Sequence, residues 1–234
     1  MRSDKSYTDE EAKLLDLMLI LHAEHGGGNN SAFVCRTLSS SGTDTYSAIA
    51  AAVGALKGPL HGGANAKVQE MVRCIHENVP DPTDANLRDF LVKILNKEAG
   101  DRSGKIYGLG HAVYTVSDPR AEAIRKYARS MADARGFTGE FDLLESIVRV
   151  GIPLVREKIN RRLPMCANVD LYSGLIYQML GIPEDLFTPL FASARIAGWC
   201  AHRLEELLTC KKIIRPAYRS SMEFAHFVPI EERG

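Results

Sequence analysis

The spacing of the apolar residues constrains this chain more than any other feature of its sequence. In each long segment they recur at intervals of three and four, the repeat of a helix that buries one face, and not at the interval of two that marks a strand. Residues 12–22, 45–56, 66–78, 83–97, 119–134, 141–160, 171–180 and 189–208 read as helices on this ground, and only 212–214 hints at a strand. The expected fold class is all-α. Thr8 and Glu11 form a capping box ahead of the first helix, which is apolar on almost every side and so reads as buried all round. The alanine-rich 45–56 stretch suits an interior or interface helix whose neighbours approach closely. Pro119 suits a first helical turn, whereas Pro153 interrupts an apolar run and is expected to kink or split it. Glycine and proline cluster at 26–28, 58–63, 80–82, 100–110 and 181–183, which are the joints. The pattern alone does not place domain boundaries.

Charge and composition exclude several classes of function. The 29 basic and 29 acidic residues cancel, so no bulk field attracts nucleic acid or an anionic membrane, and any anion must be held locally. Apolar runs such as 17–21 are far short of a bilayer span, and the first residues lack the apolar core of a signal peptide, so a cytoplasmic protein is expected. The five cysteines lack the close pairs of zinc or thioredoxin-like motifs and read as buried free thiols.

Polar groups with chemical potential gather at the joints. His22 and His25 precede three glycines; their spacing is not that of a zincin, and a helix-end histidine satisfied by backbone explains them as well. In Gly58-Pro59-Leu60-His61-Gly62-Gly63, a helix follows, and its dipole would disfavour an imidazolium at His61; a turn histidine without a role is the other reading. Tyr107-Gly108-Leu109-Gly110-His111 is not a dinucleotide fingerprint, because Val113 stands where the third glycine would fall and no strand precedes it. Its glycines would still let backbone amides approach a ligand. Asp170 heads a helix and reads by itself as a cap. Arg195 lies in an apolar segment and needs a partner, either an anion such as Glu205 or Glu206 or the face of Trp199. Arg215 reads by default as an exposed loop arginine.

Taken in order, these stretches resemble the citrate synthase family. The match runs through LHAEHGGGN at 21–29, GPLHGGAN at 58–65, GLGHAVY and DPR within 108–120, NVDLYSG at 168–174, ARIAGW at 194–199 and KIIRP at 212–216. The resemblance implies an all-α fold with a large and a small helical domain. Residues 61–175 would be the small domain, and 1–60 and 176–234 the two segments of a shortened large one. It also implies a homodimer that binds oxaloacetate and acetyl-coenzyme A in an interdomain cleft, with no metal and no permanently bound cofactor. Asp170 matches the family's general base, His61 the histidine that stabilises the enolate oxygen, and His111 the one that polarises the ketone. His25, Arg120 and Arg195 match oxaloacetate ligands, and Arg215 an arginine supplied across the dimer interface. Leu60, Ile106, Gly108, Gly110 and Asn168 fall where the family contacts coenzyme A.

That chemistry suits the residues. A thioester methyl is a very weak carbon acid, so a carboxylate deprotonates it only if the enolate oxygen is stabilised at the same moment. Arginine forks suit the carboxylates of a dianionic acceptor. The departure lies at the amino end, where about twenty residues precede His22 and the family has a long helical region. Competing readings are a 2-methylcitrate synthase, a citryl-coenzyme A lyase, and, from another class, an inactive ligand-binding or interaction remnant.

Overall fold

The computed structural model describes residues 5–111, 113–160, 164–210, 212–217, 219, 221–222 and 224–233. Among them the elements are α1 (Asp9–Ala23), α2 (Asn30–Ser40), α3 (Thr45–Lys57), α4 (Ala64–Asn78), α5 (Asp84–Leu95), α6 (Pro119–Arg135), α7 (Thr138–Lys158), α8 (Val169–Met179) and α9 (Phe187–Thr209), with short 3₁₀ turns at Glu184–Leu186 and Ile230–Glu232. No strand occurs among the described residues; one isolated bridge pairs Leu109 with Ala167. None of these helices is long and apolar enough to cross a membrane.

Local chemistry starts most of the helices. At α1 the Thr8 hydroxyl accepts from Glu11 N at 3.2 Å while the Glu11 carboxylate accepts from Thr8 N at 2.9 Å, so both halves of the capping box form. Asp44, Thr83, Asp118 and Asn168 cap α3, α5, α6 and α8 with side-chain acceptors. Pro119 takes the first turn of α6, which ends on Gly136 at φ 78°.

Two buried clusters result. The larger draws Leu14 and Met18 from α1 together with the inner faces of α4 to α8 and Phe187 at the head of α9. Within it α8 is buried on nearly every side, against α4, α6 and α7. The smaller joins Ala32 and Cys35 of α2, Ala48, Ala52 and Leu56 of α3, and Trp199 of α9. Helix α9 therefore joins the two clusters, through Phe187 at its start and Trp199 at its middle, and it also packs along α1.

Several expectations are corrected. Helix α2 carries no strong apolar period, being rich in serine; it forms because α3 and α9 pack on it, which outweighs its propensity. Helix α7 runs unsplit through Pro153, which lies, like Arg149 one turn before it, on the exposed face of the helix. Residues 212–214 form no strand. Helix α1 is buried on one face only, with Ile20 62% exposed. The cysteines are all free, but only Cys35 and Cys166 are buried, and Cys210 is exposed.

Ile147, fully buried on α7, tests the larger cluster. Ile147→Ala removes three buried carbons and should cost ~2–5 kcal/mol. A thermal melt should show this as a drop of several degrees, since each kcal/mol shifts Tm by about 2–4 °C at this chain length. An unchanged melting temperature would mean the cluster is not packed as described.

Candidate active site

Helix ends bring the polar residues together. His25 lies in the loop from α1 to α2, His61 in the turn before α4, His111 in the loop before α6, Arg120 in the first turn of α6, and Asp170 in the first turn of α8. Arg195 projects from the body of α9.

One group centres on His111. Its ring meets that of His25 edge-on at 4.8 Å between centroids, and Tyr114 stacks at 4.7 Å from His111 and 6.0 Å from His25. Nδ1 of His111 accepts from Val113 N and Tyr114 N, each at 3.0 Å, so in the neutral ring the proton sits on Nε2. Nη2 of Arg120 lies 3.4 Å from that Nε2. With both atoms donors, the two N–H groups stand side by side and suit one acceptor between them.

Arg120 is itself held by Asp118. The buried Asp118 carboxylate accepts from Arg120 N (3.0 Å), Nε (3.1 Å) and Nη2 (2.9 Å), and from Val169 N at 3.2 Å. Burial pushes its pKa up, but Arg120 outweighs this and holds it below the usual carboxylate range. A single ionised group thus locks the starts of α6 and α8 to each other.

A second group centres on His61. Nε2 accepts from Ser31 N at 3.3 Å and lies 3.0 Å from Ser31 Oγ, so Nδ1 carries the proton. Ser31 Oγ accepts from Trp199 Nε1 at 3.1 Å, and it sits 3.1 Å from Asn29 Oδ1. The sequence expectation that the α4 dipole keeps His61 neutral needs revision: burial, then Arg195, lowers its pKa. Burial likewise leads the depression of His111, with Arg120 next, and of His25, which is lowered to about 4. All three imidazoles are therefore neutral donors at physiological pH, and the positive charge here comes from arginine alone.

Arg195 is almost wholly buried. Its Nε donates to His22 O at 2.6 Å and its Nη1 to Asn29 Oδ1 at 3.4 Å, while the guanidinium lies 4.6 Å from the Phe191 ring centroid. The stacking partner is thus Phe191, not Trp199, and neither Glu206, which pairs with Arg36, nor Glu205, which lies near His202, is the anion; the carboxylates that favour the charge of Arg195 are Glu24 and Asp170, neither in an ion pair with it among the described residues. Burial lowers its pKa to about 10, and Nη2 has no hydrogen-bond partner among the described residues. A buried cation with a spare donor is poised for an anion. His22, expected to be satisfied by backbone, instead has both ring nitrogens buried without a hydrogen-bond partner among the described residues, and burial lowers its pKa to about 3.

Asp170 is not the cap of α8. Asn168 takes that place, accepting from Asp170 N at 3.1 Å and donating through Nδ2 to Gly110 O at 2.9 Å. The half-buried Asp170 has its carboxyl enclosed by protein, and burial raises its pKa from 3.8 to about 6 against the opposing pull of Arg120 and Arg195. A carboxylate of higher proton affinity is a better base for a weak acid.

The glycine loop is pinned in place. Gly110 N donates to Cys166 O at 2.8 Å and Asn168 N to Gly108 O at 2.9 Å, so Gly110 offers neither its amide nor, through Asn168, its carbonyl. The expectation that the loop's amides approach a ligand is therefore not met at the Gly110 amide. Gly108, at φ +83°, is required for packing, since a Cβ would lie 2.6 Å from Leu171 Cδ1. Ile106 is in the core, so only its backbone can meet a ligand, whereas Leu60 is 93% exposed. Arg215 lies on the exposed segment after α9, tied down by Ile214 N on Ser40 Oγ at 3.0 Å, and it does not enter the electrostatic surroundings of His111, Asp170 or Arg195. Sequence reasoning missed Asn29, Ser31 and Tyr114 as parts of these groups and gave Asp118 no role. Only Asp118, one residue before a first-turn proline, carried a local signal.

Comparison with known proteins gives the family and the fold. The family model described as citrate synthase, C-terminal domain, matches residues 1–217. A citrate synthase of Deinococcus radiodurans is 40% identical over 227 residues, covering 97% of this chain and 55% of that protein. 2-Methylcitrate synthase 1 of Corynebacterium glutamicum is 41% identical over 217 residues, covering 92% and 51%. A solved ternary complex of carboxymethyl coenzyme A and oxaloacetate with the citrate synthase of Thermoplasma acidophilum superposes with TM-score 0.75 at 28% identity, covering 98% of this chain and 57% of that one. The chain spans about half the length of the curated relatives it matches.

The raised pKa of Asp170 has a measurable consequence. Between the unfolded value of 3.8 and the folded value of about 6, the native state keeps a proton that the unfolded chain releases, so this group lowers stability progressively as pH rises through that window. Asp170→Asn keeps the amide geometry and removes the charge. The variant should melt a few degrees above the parent at about pH 8, and the gap should close by about pH 4. A gap independent of pH would show that Asp170 titrates as an ordinary carboxylate.

Proposed function

The chain belongs to the citrate synthase family, and from that premise we propose that it condenses acetyl-coenzyme A with oxaloacetate and water to give citrate and coenzyme A. Asp170 takes a proton from the acetyl methyl group while Nδ1–H of His61 donates to the developing enolate oxygen. The enolate carbon attacks the ketone of oxaloacetate, whose oxygen receives Nε2–H of His111. Arg120, Arg195 and His25 hold the oxaloacetate carboxylates, and Arg215 of the second subunit of a homodimer completes the clamp. The citryl thioester is then hydrolysed in the same site.

The observation that carries this reading is the pairing of states. A carboxyl with raised proton affinity stands with two neutral histidines whose tautomers are fixed, by Ser31 N on one and by Val113 N and Tyr114 N on the other. Proton abstraction from carbon needs the base and the oxyanion donor to act in concert, and fixed donors avoid reorganisation in the transition state. Neutral rings also leave the charge of a dianion to be matched by arginine, and the spare Nη2 of Arg195 supports its place in that clamp.

The coenzyme A contacts proposed for Leu60, Ile106, Gly108, Gly110 and Asn168 fall to the exposed side chain at Leu60, to backbone at the buried Ile106, and to van der Waals contact at Gly110, whose amide and carbonyl are already bonded. The division into a small domain of 61–175 flanked by 1–60 and 176–234 belongs to the same proposal. The 41% identity to a 2-methylcitrate synthase supports a second reading, in which propionyl-coenzyme A is the acyl donor. One methylene is worth only about 1–3 kcal/mol of discrimination.

Oxaloacetate-dependent release of coenzyme A from acetyl-coenzyme A is the direct test. Asp170→Asn and His61→Ala should each lower kcat by roughly 10³-fold or more, about 4 kcal/mol, with the double variant losing far less than the sum. Faster turnover of propionyl-coenzyme A would move the assignment to the second reading. A folded chain releasing coenzyme A from neither thioester would overturn both.

The clamp is tested separately by calorimetry. Arg195→Ala should weaken oxaloacetate binding about 10–100-fold, the loss of one charge-assisted contact. Unchanged affinity would make Arg195 a structural residue.

A further inference from the structure

The loop bearing His25 is held from end to end by one face of α9. Arg195 donates to His22 O at 2.6 Å and to Asn29 Oδ1 at 3.4 Å, at the two ends of the loop. One turn on, Gly198 meets the end of α1 where the loop begins: a Cβ there would lie 2.3 Å from Ala23 O and 2.4 Å from Glu24 Oε2, so only glycine allows the approach. One further turn on, His202 Nε2 lies 2.9 Å from Glu24 Oε1. A Cβ on Gly27 would sit 3.0 Å from the His202 ring. Beyond it, the buried Glu206 holds Arg36 of α2 at 3.2 Å, and Arg36 Nη1 donates to Gly27 O at 3.3 Å. Residues 195, 198, 202 and 206 share one helical face.

Glu24 is the link between this face and His25. Its Oε1 accepts from His25 N at 2.8 Å and from Gly26 N, while the same oxygen faces His202. Since a carboxylate only accepts, His202 must donate through Nε2. Burial raises the Glu24 pKa, but the bonds from His202 and the two amides outweigh it and keep the group ionised. Nδ1 of His202 lies 3.6 Å from Glu205 Oε2, and Arg36 and Arg195 are the cations nearby.

We propose that Glu24 and His202 form a latch that positions His25, and through it sets the affinity for the dicarboxylate substrate without taking part in the chemistry. The inference rests on the reading of the site given above, in which His25 touches oxaloacetate. Both side chains are partly exposed, 17% for His202 and 47% for Glu24, and pairs of this kind contribute little to global stability. What they do fix is local. The Glu24 oxygen orients the backbone amides on either side of the His25 α-carbon, and His202 fixes that oxygen to a rigid helix, so loss of either partner releases His25 from its place against His111.

The test begins with oxaloacetate binding to the parent chain by calorimetry. A parent that binds none refutes the reading of the site, and the latch with it. With a binding parent, His202→Ala and Glu24→Ala should each weaken oxaloacetate binding, and raise its KM, about tenfold. The kcat and the KM for acetyl-coenzyme A should stay near parental values, a split that a general loss of folding would not produce. His202→Gln, whose amide can still donate to Glu24, should recover most of the affinity. In a His25→Ala background, His202→Ala should cost nothing further, because both act through the same ring. Parental affinity in both alanine variants, or an equal fall in kcat and both KM values, would overturn the latch while leaving the site reading intact.

Discussion

The buried carboxylate of Asp118 is the interaction on which the site depends. It receives three bonds from Arg120 and one from Val169 N, so one charge joins two helix amino termini and orients the guanidinium lying beside His111. Without it, Arg120 would be a first-turn arginine repelled by the dipole of its own helix, and nothing would tie the α6 end to the α8 end where Asp170 sits. Removing one partner of such a buried pair leaves the other uncompensated, which is far more costly than losing a surface pair.

Around that anchor the charges are distributed unevenly. Three imidazoles are neutral because burial and the nearby arginines disfavour a further cation, and their proton positions follow from which backbone amides they accept. The same burial that keeps the histidines neutral raises Asp170 and lowers Arg195, so one physical cause sets all these states. Arg195 Nη2, His22 and Tyr177 Oη are buried polar groups without hydrogen-bond partners among the described residues, a costly state outside a functional site.

Packing supplies the placement. Gly108 lets its loop lie on Leu171, Gly198 lets α9 touch the end of α1, and Gly174 faces Gln69, whose Nε2 a Cβ would approach to 2.3 Å. At the first two points a helix and a segment distant in sequence come closer than a side chain allows, and that segment carries, or directly adjoins, a histidine of the site; at Gly174 the flexible Gln69 side chain fills the space instead. Helix α9, rooted in both apolar clusters, is the rigid member against which the His25 loop is set.

Much of this was legible in the sequence. The helical period, the capping box at Thr8, Pro119 in a first turn and the positions of His61, His111, Arg120, Asp170 and Arg195 at or near the joints follow from local chemistry, because caps, prolines and apolar spacing act over a few residues. Helix α2, the unbroken course of α7, the partner of Arg195, the capping of α8 by Asn168 and the roles of Ser31, Asn29 and Glu24 did not. Each depends on groups far apart in the chain, such as Ser31 with His61 and Trp199, or Glu24 with His202, that meet only once α9 packs across α1 and α2. The sequence by itself determined an all-helical chain and the kinds of residue at its joints. Tertiary structure alone decided which proton sits on which nitrogen and how far each charge is withdrawn from water, because both depend on the field and solvent access created by distant segments.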